Sequence, residues 1–299
     1  MTKFTLIIPY NNTAAHDRTQ MMNDLEDSIP ERGDLEVIWI DDHSETSWRP
    51  AHQHDHTRHR CACSDEGQRY AGMARNKGLD MACGTYILFA DSDDLLDRDE
   101  LDRILDAIPD HPDHDLTLFR VGAFRDDGKT PTRHLYIERT HNRIRETLDP
   151  DDLTLYPSPV GKIIRRAFIK ENNLRFSGDR YGNDVMFGMH LALAGPSINA
   201  RDERAYLIRE GNDSLTQAKS AQAVSERFQR SREVQDLMKN SGRNDLVRPM
   251  LHLLLKYARH EPLVVLRETS ISLIRGNKIM PDFSVLKQGL TRRIRNHIK

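Results

Sequence analysis

Short apolar runs, each stopping at a polar or acidic exit and followed by a helix-length stretch, constrain this chain more than any other feature. Phe4 to Ile8 is the first, ended by Pro9, and reads as a buried strand. A polar loop, Tyr10-Asn11-Asn12-Thr13, leads to a helical stretch from about Asp17 to Ser28. Leu35 to Ile40 is the second strand and ends on Asp41-Asp42. Gln68 to Cys83 spaces Ala71, Ala74, Gly78 and Met81 at helical intervals. Thr85 to Ala90 is the next strand, followed by Asp91-Ser92-Asp93-Asp94. Asp97 to Ile108 then reads as a helix and Asp115 to Val121 as a strand. Strands alternating with helices predict an α/β fold, a parallel sheet with helices on both faces. Ligands of such sheets bind beyond the carboxyl ends of the strands, so this crevice is expected to be lined with carboxylates.

Beyond about Asp126 the pattern loosens. Thr132 to Glu138 reads as an edge strand in a hairpin, Gly182 to Ala194 as a helix and Arg204 to Arg209 as a strand. From about Ala218 the pattern is helical. Val224, Phe228, Val234 and Met238 form one stripe, and Val247, Met250, Leu251, Leu254 and Tyr257 the next. A third segment runs from Pro262 through Ile274. The expected division is a domain over 1–217, with halves at about 1–125 and 126–217, and a helical region over 218–299.

A net charge of −2 over 299 residues gives no reason to expect bulk nucleic-acid binding. No stretch approaches the roughly 20 apolar residues of a membrane span. Met1 leads directly into a strand-like run, with no signal-peptide pattern. The odd set Cys61, Cys63 and Cys83 argues against a disulfide framework and for a reducing cytoplasm. His52, His54, His56 and His59 lie near Cys61 and Cys63, but the spacing fits no common zinc pattern. Cys61 and Cys63 also fit one face of a strand, but a polar loop is the better reading of that stretch.

The acids of "FADSDD" repel one another unless water or a cation sits among them. Magnesium or manganese takes one or two carboxylates and completes its shell with water and phosphate oxygens. Asp91 and Asp93, two apart in a turn, are the candidate ligands; the plainer reading is a solvated turn capping the next helix. A calcium loop needs glycine at its sixth position, where Leu96 stands. A phosphatase of the halo-acid-dehalogenase type normally carries its Asp-x-Asp after the first strand, which here ends in Pro9-Tyr10.

With these motifs placed, the chain resembles a family-two glycosyltransferase over roughly residues 3 to 216. "FTLIIPYNN" resembles the first strand and its exit, and "EVIWIDDHSETS" the second strand and its turn. "GMARNKGLDMACGTYILFADSDD" resembles the longest family signature. "SPVGKIIRRAFIKENNLRF" and "GNDVMF" resemble acceptor-side segments, and "YLIREGNDSLT" the closing stretch. Each is weak alone; five or six in order are not.

The resemblance implies a Rossmann-like A-type fold: a central, mostly parallel sheet flanked by helices, here with a C-terminal helical appendage. It implies inverting transfer of a sugar from a nucleotide diphosphate, expected to be a UDP-sugar, to a hydroxyl of a surface glycan or lipid-linked oligosaccharide. By the same resemblance Pro9 and Asn11 belong to the loop under the nucleoside, and Asp42, with Asp41 behind it, meets the base. Arg75 lies near the diphosphate, and Asp91, Ser92 and Asp93 bind the nucleotide-sugar, Asp93 and Asp91 holding Mn2+ or Mg2+. The family's base is the Asp of a Glu-Asp pair. Here the string is Asn183-Asp184, so Asp184 is the expected base and Asp179 the fallback. Arg209 is the candidate for reaching the diphosphate or acceptor. Two other readings stay open: a non-catalytic sugar-nucleotide or glycan binder on the same scaffold, and a nucleotidyltransferase, which would normally carry a Gly-rich basic loop after the first strand. The C-terminal "SVLKQGLTRRIRNHIK" has five Lys or Arg, no acid and a partial apolar face. It reads as a peripheral contact with the inner face of a membrane, or as a helix packed on the domain.

Overall fold

The computed structural model describes residues 2–13, 17–46, 48–51, 57–110, 113–211 and 218–281. His52, His54, His56 and the basic tail, read above from the sequence, lie outside them. Contacts divide the chain into Met1–Ser214 and Leu215–Lys299, each with its own apolar cluster.

In the first unit the described residues form an eight-stranded mixed sheet, ordered β3-β2-β1-β4-β7-β6-β8-β5. Its centre is β1 (Phe4–Tyr10), parallel to β2 (Leu35–Asp41) on one side and to β4 (Tyr86–Phe89) on the other. Every residue of β1 and β4 is buried, as expected of strands covered on both faces. Helix α1 (Thr19–Ser28) joins β1 to β2, and α2 (Tyr70–Met81) leads into β4. These crossovers bring the carboxyl ends of β1, β2 and β4 to one edge, where the Asp42 amide donates to Tyr10 O and the Ala90 amide to Ile7 O. Beyond β4 the sheet turns antiparallel through β7 (Lys162–Arg165), then β6 (Leu116–Phe124), with β8 (Ile198–Arg209) parallel to β6. Helix α3 (Arg98–Asp106) follows the two-residue β5 (Leu95–Leu96), and Asp97 caps it by accepting the Glu100 amide.

Three readings of the sequence are corrected. Thr132 to Glu138 is no hairpin strand but the start of α4 (Arg133–Thr147). Its buried residues Ile137, Thr140, His141 and Ile144 fall at helical spacing, and only the second half of the helix makes that period visible. The supposed polar loop after residue 52 ends in β3 (Arg58–Cys63), parallel to β2. As an edge strand it buries little, and its arginines suit an edge. Pro9 does not end β1: it pairs in register with Ile40. Ile7 faces β4, so Pro9, two residues on, faces that side too, where β4 has already stopped and no amide is required.

The second unit packs α7 (Ala221–Asn240), α8 (Leu251–Tyr257) and α9 (Pro262–Ile274) around Val224, Phe228, Met250, Leu253, Tyr257, Val265 and Ile279.

Candidate active site

The exits of β1 and β2 are laced into one rim. The Asn12 amide donates to Ser44 Oγ at 2.8 Å, and the Glu45 amide donates to Asn12 O. Asn11 Nδ2 donates to Asp42 O at 2.7 Å, Asp41 Oδ1 accepts the Ser44 amide, and Asp42 Oδ1 accepts the Tyr70 amide at 3.0 Å. Burial raises the pKa of Asp42, so its ionised form is held in a partly dehydrated place.

The acidic turn after β4 closes through the Asp94 amide donating to Asp91 O, with Ser92 buried and Asp93 half-buried at its corner. Asp94 is the strut the sequence reading missed. Its Oδ2 accepts the Tyr206 hydroxyl at 2.7 Å and its Oδ1 accepts the Arg209 amide at 2.8 Å. The Tyr206 hydroxyl in turn accepts the Asp91 amide. A buried Tyr in the middle of β8, facing a strand exit, was the available signal. Arg209 donates from Nε to Asp93 O, from Nη1 to Asp126 and from Nη2 to Asp24, and lies over the Phe124 ring. Its guanidinium is committed to bracing the turn.

Arg75 joins the two sides of the site. It is almost fully buried on α2, donates from Nη2 to Asp91 Oδ1 and from Nη1 to Asn183 Oδ1 at 3.0 Å, and lies over the Phe176 ring. Gly72, one turn earlier, makes this closeness possible: a Cβ there would lie 2.1 Å from Ser177 O and 2.9 Å from Asn183 Cβ. Asp184 follows Asn183 immediately before α6 (Val185–Leu193), and its side chain makes no capping bond. Desolvation raises the Asp184 pKa, opposed chiefly by the positive charge of Arg75. The fallback, Asp179, lies half-buried in the loop before it.

Burial, then the neighbouring Asp91 charge, raises the pKa of Asp93, and burial with both neighbouring acids raises that of Asp94 well above the carboxylate range. Arg18 and Arg133, unanticipated from the sequence, oppose the shift at Asp93. Asp41, Asp42, Asp91 and Asp94 are all bonded within the protein. Among the described residues, no side chain hydrogen-bonds or ion-pairs with the carboxylates of Asp93 or Asp184. Nor does any group of three or more His, Cys, Asp or Glu form a self-sufficient metal cage. A hard cation held by one or two carboxylates and completed by phosphate oxygens needs no such cage, and the dehydrated, unpartnered Asp93 beside Asp91 fits that donor set.

Lys162, on β7, is buried behind Asp184. Its Nζ donates to Tyr156 O and Ser158 O and lies 3.7 Å from the Tyr156 ring centre. It thereby ties the 156–161 loop, whose Pro157 backbone would meet any Cβ at Gly188 of α6 at 2.3 Å. Desolvation, partly offset by Asp184, pulls the lysine pKa down from 10.5 to about 7. Between pH 7 and 10 the unfolded chain therefore holds more protons than the folded one, and this residue's contribution to stability rises with pH, by about 2 kcal/mol from pH 7 to 9. Above pH 10 buried Tyr86, pushed up to about 12, works in the opposite sense. Urea midpoints of wild type and Lys162→Met between pH 7 and 9 are expected to show the steeper rise in wild type; parallel curves would contradict the buried charge.

Comparison with known proteins identifies the family and the fold. The family model "Glycosyl transferase family 2" matches residues 5–172. The poly(ribitol-phosphate) beta-N-acetylglucosaminyltransferase TarS of Staphylococcus aureus strain Mu50 is 25% identical over 223 residues, covering 71% of this chain but 36% of its own length. The crystal structure of S. aureus TarS 1–349 in complex with UDP-GlcNAc aligns at a TM-score of 0.61 with 20% identity, over 87% of this chain and 75% of that one. The mannosyltransferase PcManGT from Pyrobaculum calidifontis in complex with GDP-Man and Mn2+ aligns at 0.50 with 16% identity, over 98% and 80%. These structural likenesses speak for the fold. The family match spans more than half of the chain, across β1, β2, β4, the acidic turn and β7: this protein belongs to glycosyl transferase family 2 and has the A-type α/β fold, extended by a C-terminal helical region.

Proposed function

We propose that the chain is an inverting glycosyltransferase that moves a sugar from a nucleotide diphosphate, a UDP-sugar, to a hydroxyl of a glycan or lipid-linked acceptor. The observation that carries this reading is the division of the acids into two kinds. Four are bonded within the protein and shape the rim; two, Asp93 and Asp184, keep uncommitted carboxylates on opposite sides of the Arg75 bridge. The proposed transferase domain is 1–217, the donor half about 1–125 and the acceptor half about 126–217.

Asp42, backed by Asp41 and Asn11, receives the base, with Pro9 in the strand beneath. Asp93, with Asp91 and Ser92 in the same turn, would hold Mn2+ or Mg2+. When bound, that ion would neutralise charge developing on the diphosphate. Arg75 fixes the orientation of Asp91 and sets Asn183, hence Asp184, at a constant distance from the donor side. Asp184 takes the proton of the attacking hydroxyl; its raised pKa makes it a stronger base than an exposed carboxylate. Arg209 acts through the turn it braces rather than on the substrate. The relatives' donors, named above as UDP-GlcNAc and GDP-Man, support a nucleotide-sugar without fixing which one.

A thermal-shift panel of UDP, GDP and their sugars, with and without Mn2+, tests the reading. Ligand at about 100 times its dissociation constant adds about 2.7 kcal/mol of apparent stability, a rise of several degrees. Stabilisation by UDP-sugars only when the metal is present is the expected outcome; none by any nucleotide would overturn it. Slow release of UDP without acceptor separates a transferase from a pure binder.

A further inference from the structure

Helix α9 is built inside out for a helix in water. Its buried face carries Val265, Glu268 and Ser272. Glu268 accepts Arg232 Nη1 from α7 at 2.9 Å and the Ser225 hydroxyl at 2.8 Å, with both charged side chains almost fully buried. The opposite face carries Leu263, Leu266, Leu273 and Ile274, which are 62–86% exposed. At 100° per residue these four fall within about a quarter to a third of the helix circumference. Leu255 of α8, 74% exposed, and Met280, 57% exposed, add to the apolar surface of the same unit. Exposed Ser270 falls between Leu266 and Leu263 on this face and Arg267 at its edge; single exposed aliphatics are ordinary, but four on one helix face, opposite a buried ion pair, are not.

The charge around this face selects the partner. Residues 249–281 hold Lys256, Arg259, Arg267, Arg275 and Lys278 against Glu261 and Glu268; buried Glu268 pairs with Arg232 and with Arg267, which leaves Lys256, Arg259 and Arg275 as the exposed cations facing only Glu261 in the balance. Lys256, Arg259, Arg267 and Arg275 are exposed. A second copy would bring cations against cations, whereas lipid phosphates complement them while the aliphatic chains enter the acyl boundary. No helix among the described residues is long and apolar enough to cross a membrane, so the contact lies on the surface. We propose that the outer face of α9, with Leu255 beside it in sequence and chemistry, seats the protein on an anionic phospholipid bilayer. This inference does not rest on the catalytic assignment.

The test is cosedimentation of the full chain with vesicles of phosphatidylglycerol and phosphatidylethanolamine, against vesicles of phosphatidylcholine. Wild type is expected to bind the anionic vesicles, less so at high salt, and hardly to bind the neutral ones. Replacing Leu263, Leu266, Leu273 and Ile274 by Gln together is expected to lower partitioning by at least about tenfold. Melting temperature and nucleotide-dependent thermal shift stay unchanged, because these side chains lie outside the core. Arg292→Gln, Arg293→Gln and Arg295→Gln, made together, read the share of the basic tail and are expected to leave the effect of the α9 substitutions in place. Three results would overturn the proposal: wild-type binding by the α9 variant, complete loss on tail substitution with the α9 variant silent, or a solution dimer that the α9 substitutions dissociate.

Discussion

Asp93→Ala loses transfer by at least about 10³-fold and does not lower the melting temperature. The two halves of this expectation have one cause. Asp93 stands half-buried beside Asp91 and Asp94, its carboxylate bonded to no side chain among the described residues, and burial with the Asp91 charge raises its pKa. A carboxyl that is a weaker acid folded than unfolded costs stability as pH rises through its titration, so at neutral pH its removal relieves repulsion. The backbone of the turn survives, because Arg209 holds Asp93 through its carbonyl oxygen and Asp94 holds Tyr206 through a different carboxylate. A half-buried carboxylate that costs the fold stability fits a site poised for a ligand. The measurement is paired: melting temperature with and without Mn2+, and turnover with a saturating donor. Wild type gains stability on adding metal and the variant does not. Wild-type turnover in Asp93→Ala would remove the metal assignment; a large fall in melting temperature would make the residue structural.

Asp184→Asn keeps donor binding and loses roughly 10²- to 10⁴-fold in turnover. The amide has the shape of the carboxyl and cannot take a proton from the acceptor hydroxyl. Helix α6 does not use the Asp184 side chain as a cap, so the exchange leaves the helix start as it is. The donor-side bond of Arg75 to Asp91 and its bond to Asn183 do not involve Asp184 either. The check is a split: donor affinity by thermal shift unchanged, the rate falling with saturating donor and acceptor. Equal loss of both would assign Asp184 to packing and move the base to Asp179. Asn183, where the family resemblance expects Glu, gains a physical account here. Its side-chain oxygen accepts Arg75 Nη1 at 3.0 Å, a bond that joins the two sides of the site without adding another negative charge beside Asp91 and Asp184.

The exits of β1, β2 and β4 were legible in the sequence because their signals are local. A strand covered on both faces is a near-continuous apolar run, and Phe4–Tyr10, Leu35–Asp41 and Tyr86–Phe89 carry that mark, interrupted by Thr5 and Glu36, which bond to each other. Their acidic exits follow at once, so the order of strands and the rim at their ends could be read together. Where an element buries little, as at β3, or shows its period only over its full length, as at α4, local reading failed. The short β7 and its helix α5 (Arg166–Glu171) also escaped it, having too few residues to display a period.

By itself the sequence determined which residue types stand at the strand exits and in what order, since both follow from hydrophobic runs and turn residues along the chain. Only the tertiary structure decided which of those charges are already spent. Arg75 and Asp91 lie 16 positions apart, Arg75 and Asn183 108, and Asp94 and Tyr206 112. No periodicity encodes such pairings; they arise because the sheet and α2 pack strands and loops from distant parts of the chain against one another. Around Arg75 and the acidic turn, that packing leaves the Asp93 and Asp184 carboxylates bonded to no side chain among the described residues.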